Sequence, residues 1–325
     1  MTTHTMAQHF LLSAASRTLS LKGIYKAGED AAYETFKRMR WPATDGKPVC
    51  SKCGCLDAYT ITTRRRFKCK ACHAQFSVTS GTIFASRKLA FTDLLAAITI
   101  IVNGAKGLSA VQLSRDLDVQ YKTAFVLAHK LREAMSASQC RETLLEGEVE
   151  IDGCYVGGKV RPANVKADRV DRRRRANQSP NRRVVVALRE RGGRTLPFVA
   201  HAEAEGVALA KRHVARTAVM AADEASHWDQ LHAGWEVDRV NHSLTYSDHG
   251  KHTNWVESYF ARLRRMIGGQ HHHVSPRYLY QYANHAAWLE DGRRESNGAL
   301  AYGLVGLAMA SKVSRTWKGY WQRSA

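Results

Sequence analysis

The sequence predicts an α/β protein in which a cysteine-rich segment and a helical segment precede a mixed arrangement of strands and helices. Five of the seven cysteines lie within residues 50–72. Apolar residues recur at helical spacing through residues 89–139. From residue 147 onward, short β-prone runs alternate with helical stretches, as in domains where helices cover a sheet.

The composition indicates a nucleic-acid partner. The chain has 325 residues, with 49 Lys and Arg against 29 Asp and Glu, which leaves a formal net charge of +20. A surplus of this size is typical of proteins that bind a polyanion. The apolar fraction of 44% excludes wholesale disorder. The apolar runs fall short of the roughly 20 residues that span a bilayer, and no secretory leader is visible. We therefore expect a cytoplasmic, nucleoid-associated protein with no membrane partner.

Helical segments are predicted at both ends of the chain. Residues 1–48 form an N-terminal helical segment, with a helix over Asp30–Arg40. That helix ends at Trp41, because a residue before proline is pushed out of the helical conformation. Residues 296–325 form a C-terminal helical tail, in which Ala299–Ala310 is an apolar helix.

The cysteines of residues 49–80 predict a zinc ribbon. Two CxxC pairs separated by 15 residues supply the four expected ligands, Cys50, Cys53, Cys69 and Cys72. Tetrahedral zinc takes four thiolates, and each pair places two sulfurs on one side of the metal. Cys55 is a spare, since four ligands complete a structural site. The odd number of cysteines suits a reducing compartment better than a disulfide framework.

A basic arm joins the two cysteine pairs. Its cations are interleaved with Phe67, and we expect them to contact DNA phosphates. The residues concerned are Arg64, Arg65, Arg66 and Lys68. The alternative interpretation is a solvated hairpin without a partner.

Residues 89–139 resemble a helix-turn-helix segment. Ser109 and Gln112 have the spacing of a capping box at the start of a short helix. A turn at residues 118–120 separates this helix from a longer one. In DNA-binding units of this kind the second helix enters the major groove, which would bring Lys122 to the DNA. Two packed helices without a DNA contact are the alternative.

Two predicted strands carry acidic residues at positions suited to chemistry. In the strand Glu148–Val156, alternation puts Glu148, Glu150 and Asp152 on one face and apolar residues on the other. The alternative is a strand face that is simply solvated, but acids are scarce in this chain, so three on one face indicate a function. A later strand ends at Asp223, the first polar residue after an apolar run.

A predicted helix over residues 254–267 carries the third acidic candidate. Glu257 lies beside the apolar stripe of this helix, and Arg264 follows two turns later. A carboxylate so placed can bind a metal ion while the basic residue holds a phosphate. The alternative is that Glu257 forms a surface ion pair within the helix. Such pairs join residues three or four apart, and neither residue 260 nor residue 261 is basic.

Taken together, these motifs resemble those of the ISXO-type insertion-sequence transposases. The resemblance rests on the strand Glu148–Lys159, the segment Val240–Ser243, and His252–Asn254 followed by Glu257. It covers about residues 30–295, with the ribbon, the linking helices and the catalytic domain in the expected order. It implies a DDE transposase, and it implies an RNase H-like fold with a mixed five-stranded sheet and helices for the catalytic domain.

The resemblance assigns roles to residues of the catalytic domain, residues 147–295. It implies the catalytic triad Asp152, Asp223 and Glu257, with separations of 71 and 34 residues. Arg264 stands where such enzymes commonly carry a basic residue. Asn254 is a rival to Glu257, because some relatives use Asn as the third ligand. The chain departs from the family pattern at Gly153, where an acidic residue would be expected.

The implied reaction is metal-dependent cleavage and transfer of DNA strands. Carboxylate oxygens suit Mg²⁺ or Mn²⁺, while the thiolates suit Zn²⁺. Asp152 is expected to bridge two catalytic ions. The run Arg161–Arg183 is expected to be a mobile basic loop. Its expected DNA contacts are Arg172, Arg173, Arg174 and Arg175.

The expected partners are the terminal inverted repeats of an insertion sequence and the target DNA. Synapsis of two DNA ends implies a homodimer or a higher oligomer on DNA. Two other classes remain open. An RNase H-like nuclease or resolvase would need the acids but not strand transfer, and a zinc-ribbon regulator would need neither acids nor catalysis.

Overall fold

The chain forms two compact units in the computed structural model. The structure describes residues 9–138, 142–172, 174–240 and 252–323, apart from the side chain of residue 175. The first unit combines Met1–Ser138 with Gly292–Ala325, and the second is Gln139–Asp291. The backbone therefore leaves the first unit, builds the second, and then returns to the first.

Helices and strands are numbered here in chain order. The helices are α1 (Leu21–Arg40), α2 (Phe91–Asn103), α3 (Ala110–Asp116), α4 (Tyr121–Ser138), α5 (Glu205–His213), α6 (Asn254–Arg265), α7 (Pro276–Asp291) and α8 (Asn297–Ala310). The strands are β1 (Ala58–Ile61), β2 (Arg66–Cys69), β3 (Gln75–Phe76), β4 (Glu148–Val156), β5 (Arg183–Glu190), β6 (Thr195–Ala200), β7 (Val219–Asp223) and β8 (Glu236–Val240). Among the described residues, no helix combines the length and the apolarity that crossing a bilayer requires.

The ribbon of the first unit is a three-stranded antiparallel sheet in the order β1-β2-β3. Phe67 and Phe76 pair across β2 and β3, and their buried rings lie 5.5 Å apart. The ring of Trp41, which follows α1, lies 5.7 Å from that of Phe67. The apolar core of the ribbon is small, which is the condition under which a bound metal contributes most to folding.

Apolar helices form the centre of the first unit. Ten of the 13 residues of α2 are buried, as expected for a helix that is apolar all round. Helix α8 packs against α1, α2 and α4, although 158 residues separate the end of α4 from its first residue. The predicted apolar helix near the C-terminus is confirmed, and it belongs to the core of this unit.

Helix α1 begins nine residues earlier than predicted. The hydroxyl of Ser20 accepts a hydrogen bond of 3.0 Å from the backbone amide of Gly23 and so caps the helix. Gly28 has a φ of 82°, a left-handed conformation that interrupts the helical geometry of α1. Glycine also disfavours a helix, so the sequence before residue 30 does not indicate one. The helix ends at Arg40, before Trp41 and Pro42, as predicted.

The helices α3 and α4 follow one another across a tight turn, as predicted. The hydroxyl of Ser109 accepts a hydrogen bond of 3.1 Å from the backbone amide of Gln112, which is half of the expected capping box. Asp118 in the turn is left-handed, with a φ of 49°. Leu113 of α3 and Ala124 of α4 are fully buried.

The second unit is built on a mixed five-stranded sheet in the order β6-β5-β4-β7-β8. Strand β5 runs antiparallel to both of its neighbours, β6 and β4, whereas β4, β7 and β8 run parallel to one another. Helices cover both faces of this sheet. The predicted RNase H-like α/β fold is therefore confirmed.

Alternating residues of the strands face two separate apolar cores. Val149 and Ile151 of β4 pack with Val207 of α5 on one face. Cys154 of the same strand packs with Phe260 of α6 on the other, together with residues of α7. The period of two along β4 decides which side chains can reach each helix.

Two helices of this unit differ from the sequence prediction. The sequence near Val207–Ala218 predicts a helix, but α5 already ends at His213. Val214 is extended there and forms a parallel bridge with Leu145, so backbone pairing replaces the last helical turns. Helix α7 was not predicted, because polar and aromatic residues interrupt its apolar positions.

Candidate functional site

The four cysteines of the two CxxC pairs meet at one point. Their Sγ atoms all lie within 4.8 Å of one another, and Cys50–Cys72 and Cys53–Cys69 are each separated by 3.6 Å. Sulfurs about 2.3 Å from a tetrahedral zinc ion lie about 3.8 Å apart, so the quartet fits structural zinc. Cys55 lies outside the quartet, with its Sγ 3.4 Å from the backbone nitrogen of Asp57.

Asp152 and Asp223 lie on neighbouring parallel strands. The register pairs Glu150 of β4 with Ala221 of β7, so two residues further on the two aspartates stand level with each other. Asp223 is the last residue of β7 and accepts a hydrogen bond of 3.1 Å from the backbone amide of Ala225. In open sheets of this kind, ligands bind at the carboxyl ends of parallel strands.

The environment of Asp152 is both buried and negatively charged. The pKa of Asp152 is raised to about 7, chiefly by burial and also by the charges of Asp223 and Glu203. A hydrogen bond of 2.6 Å from the backbone amide of Gly153 and the charge of Arg264 oppose this shift. A carboxyl group in such surroundings gains from the approach of a cation.

Helix α6 is anchored to the sheet by Glu150. The Oε2 atom of Glu150 accepts hydrogen bonds of 2.9 Å from the backbone amides of both Trp255 and Val256. These amides belong to the first turn of α6, where a carboxylate is favoured by the unpaired amides and by the helix dipole. Glu150 is fully buried, and its Oε1 atom accepts a hydrogen bond of 2.9 Å from Nε of Arg191.

Helix α6 carries the three remaining candidate residues. Glu257 accepts a hydrogen bond of 3.1 Å from the hydroxyl of Thr253. Burial raises the pKa of Glu150 to about 7, and the charge of Glu257 is a smaller contribution to that shift. Asn254 is exposed at the first position of the helix. Arg264 lies near Asp152 and Cys154, because burial raises the pKa of both groups and the charge of Arg264 opposes each shift.

The candidate acids are therefore gathered only in part. Asp152, Asp223 and Arg264 share one electrostatic environment, and Glu257 interacts with Thr253 and Glu150. Within the described ranges, the cysteine quartet is the one group of three or more potential ligands whose atoms lie within 4.8 Å. No three carboxylates among those residues come that close together.

Comparison with known proteins identifies both parts of the chain. Residues 144–291 match the model of the ISXO2-like transposase domain, and residues 27–75 match that of the transposase zinc-ribbon domain. These two parts of the chain are therefore similar to the transposase domain and the zinc ribbon of ISXO-type transposases. The resemblance seen in the sequence is thereby confirmed for the ribbon and for the five-stranded unit.

A curated relative gives the same indication. An uncharacterized protein in transposable element ISH50 of Halobacterium salinarum is 26% identical to this chain over 168 residues. The match covers 50% of this chain and 55% of the relative, so the chain spans about half the length of that protein.

Sequence reasoning missed one acid of the transposase domain. Glu203 lies between β6 and α5, and its charge acts on Asp152. It also missed the anchoring role of Glu150, which was expected only to share a face with Asp152. The signal for Glu150 is its even spacing from Asp152 on a strand whose face a helix covers. The sequence gives a weaker indication for Glu203, because Glu203 is distant from β4 in the chain and comes close to it only in the folded structure.

The cations of the basic arm in the zinc ribbon differ in their surroundings. Arg64, Arg66 and Lys68 are exposed. Arg65 forms ion pairs of 3.1 Å with Glu29 and 2.7 Å with Asp30, both on α1. Arg65 therefore joins the ribbon to α1, while its neighbours face solvent.

The other residues expected to contact DNA lie at two places. Lys122 is exposed in the first turn of α4, with its Nζ 5.4 Å from the centre of the Trp321 ring. In the loop between β4 and β5, Arg172 and Arg174 are exposed. Arg173, the side chain of Arg175 and residues 241–243 of the family motif lie outside the part of the chain that is described.

Proposed function

We propose that this chain is a DDE-type DNA transposase that cleaves and joins DNA strands at the ends of an insertion sequence. The observation that supports it best is the level position of Asp152 and Asp223 on adjacent parallel strands of a transposase domain. The net charge of +20 suits a polyanionic substrate.

The catalytic ions of this proposal are Mg²⁺ or Mn²⁺. The donors offered near Asp152 are carboxylate oxygens, which are the ligands that these hard cations prefer. Asp152 would serve both ions of a pair, Asp223 would complete one site, and Glu257 or Asn254 the other. Such ions activate an attacking water or 3′-hydroxyl and stabilise the charge on the leaving oxygen.

The remaining side chains of this region would position the DNA and the third ligand. Arg264 would hold a backbone phosphate beside the aspartates, since its guanidinium already acts on the charge of Asp152. Glu150 would fix the first turn of α6, which presents Asn254 and Glu257. His252 supports the same turn, with its Nδ1 atom 3.2 Å from Glu150.

The first unit would supply DNA recognition. We infer that the zinc ribbon and the α3–α4 segment bind the terminal inverted repeats. Exposed cations such as Arg66 and Lys122 would contribute phosphate contacts, which fix orientation on the duplex. Joining two DNA ends to a target requires at least two active sites, so we propose a homodimer or higher oligomer on DNA.

An assay with labelled element ends and target DNA tests the proposal. A transposase gives a joined product that depends on Mg²⁺ or Mn²⁺, and Asp152→Asn abolishes it while DNA binding remains. Nicked product without joining would indicate a nuclease or resolvase. Binding without any cleavage would indicate a regulator, and full cleavage by Asp152→Asn would remove Asp152 from the catalytic site.

A further inference from the structure

Glu203 reaches the candidate catalytic site from the face of the sheet opposite to α6. It follows β6 and precedes α5, the helix that packs on the face of Val149 and Ile151. Its side chain lies directly over the backbone of Gly153, next to Asp152. A Cβ atom at residue 153 would lie 2.4 Å from Cγ and 2.8 Å from Oε1 of Glu203.

This approach depends on the absence of a side chain at Gly153. A contact of 2.4 Å is far below any real Cβ distance, so even an alanine there would displace Glu203. Gly153 has no unusual backbone conformation that would itself demand glycine. The Glu203 side chain therefore occupies the space on the α5 face of β4 that a side chain at residue 153 would fill.

The neighbouring acid in the same turn has a different task. Glu205 accepts hydrogen bonds of 2.9 Å from the backbone amides of His201 and Ala202, which fixes the turn before α5. The Glu203 side chain is 23% exposed, and its Oε2 atom lies 3.5 Å from Nε2 of His227. The turn that carries Glu203 is thus fixed by Glu205, and His227 lies beside the Glu203 carboxylate.

Three negative groups converge on this end of the sheet. Asp152 and Asp223 stand level on adjacent parallel strands, and Glu203 lies over the residue that follows Asp152. The negative charges of Asp223 and Glu203 both act on the carboxyl group of Asp152. The mutual repulsion of half-buried carboxylates is relieved when a divalent cation binds among them.

We propose that Glu203 is a further carboxylate ligand of the catalytic metal site, delivered over Gly153 beside Asp152 and Asp223. The inference rests on the proposed function, because it concerns the metal ions of that same site. It adds a ligand from the α5 face to those that β4, β7 and α6 supply. It also assigns a role to Gly153, which leaves room for that ligand.

Manganese binding to the full-length, zinc-loaded protein tests this proposal without DNA. Electron paramagnetic resonance of free Mn²⁺ gives the affinity and the number of bound ions. We expect Glu203→Gln to weaken binding about tenfold or more, since it removes one charged ligand. Glu224→Gln is the matched control, because Glu224 is exposed beside Asp223 and should leave binding unchanged.

The Asp152→Asn variant separates failure of this inference from failure of the proposed function. If Asp152→Asn loses Mn²⁺ and Glu203→Gln binds like the wild type, Glu203 is not a ligand. If neither substitution changes binding, the metal site itself is wrong and the inference falls with it. Iron-directed oxidative cleavage of the backbone next to residue 203, absent in Asp152→Asn, would show direct proximity to the metal.

A second pair of variants keeps the test valid if Glu203→Gln fails to fold. Gly153→Ala leaves Glu203 intact but pushes it aside, so Mn²⁺ affinity should fall by a similar factor. Gly153→Asp combined with Glu203→Ala offers a carboxylate from β4 in the vacated space and should recover part of the affinity. Unchanged affinity in Gly153→Ala would overturn the proposal.

Discussion

The carboxylate of Glu150 accepts a hydrogen bond of 2.9 Å from the backbone amide of Val256, so a buried acid of β4 holds the first turn of α6. Glu150 also pairs with Arg191, as does Glu148 two residues earlier. The two acids differ in burial, since the side chain of Glu148 is 55% exposed and that of Glu150 is fully buried.

This difference predicts unequal effects of alanine at the two positions. Glu150→Ala leaves buried amides and a cation without their partner, so we expect a loss of about 3 kcal/mol in the free energy of unfolding. Glu148→Ala breaks an exposed pair and should cost less than about 1 kcal/mol. Urea unfolding measures both, and equal losses would contradict the anchoring role of Glu150.

The third metal ligand can be decided by comparing Glu257 with Asn254. We expect Glu257→Gln to lower metal-dependent cleavage by more than about 100-fold, because it replaces a charged ligand. Asn254→Ala should lower cleavage much less, since an uncharged amide binds Mg²⁺ more weakly than a carboxylate does. Single-turnover cleavage at saturating Mg²⁺ is the measurement. The reverse order would make Asn254 the ligand.

Neighbouring arginines of the ribbon should affect DNA binding differently. Arg66 is exposed, so Arg66→Ala should weaken binding to any duplex and lower the salt dependence of the affinity by about one counterion. Arg65 is paired with Glu29 and Asp30, so Arg65→Ala should mainly lower thermal stability. Affinities measured from low to high salt, together with melting temperatures, distinguish these effects. Equal salt slopes for the two variants would refute the division.

Asp291 predicts a pH dependence of stability outside the metal site. Its carboxylate accepts hydrogen bonds of 3.0 Å from the amide and 2.7 Å from the hydroxyl of Thr195. Burial raises the pKa of Asp291 to about 6, although Thr195 opposes the shift. In the unfolded chain the ordinary value is about 3.9, so the folded state binds the proton more tightly.

The stabilising contribution of this proton is complete below pH 4 and is lost as the pH rises through 6. Wild-type protein should therefore lose about 2–3 kcal/mol relative to Asp291→Asn between pH 4 and pH 7. Unfolding free energies of both proteins across this range, in metal-free buffer, give the difference directly. Parallel curves would show that Asp291 does not titrate as its burial implies.

The sequence predicts those features of this chain that are local or repeat with a clear period. Strand β4 has the predicted bounds, and the CxxC spacing alone indicates the cysteine quartet. The assignment of Asp152 and Asp223 to one site came from the family resemblance, and their strands proved to be neighbours. Their catalytic roles remain a prediction.

Other features could not be predicted because tertiary contacts decide them. The first half of α1 was missed because Gly28 interrupts its geometry. The position of Glu203 depends on the missing side chain of Gly153, which is 50 residues earlier in the chain. The role of Glu150 depends on amides of α6 that are about 100 residues away. Apart from the even spacing of Glu150 from Asp152 on β4, these relationships leave no periodic trace in the sequence.

The return of the backbone to the first unit sets an order of assembly during translation. Helix α8 supplies buried residues to the core formed with α1, α2 and α4, but it follows the whole transposase domain in the chain. Domains fold as units once their residues have left the ribosome. The transposase domain can therefore complete its sheet while the first unit still lacks its last helix. A nascent chain would complete the fold of its second unit before its first unit is finished.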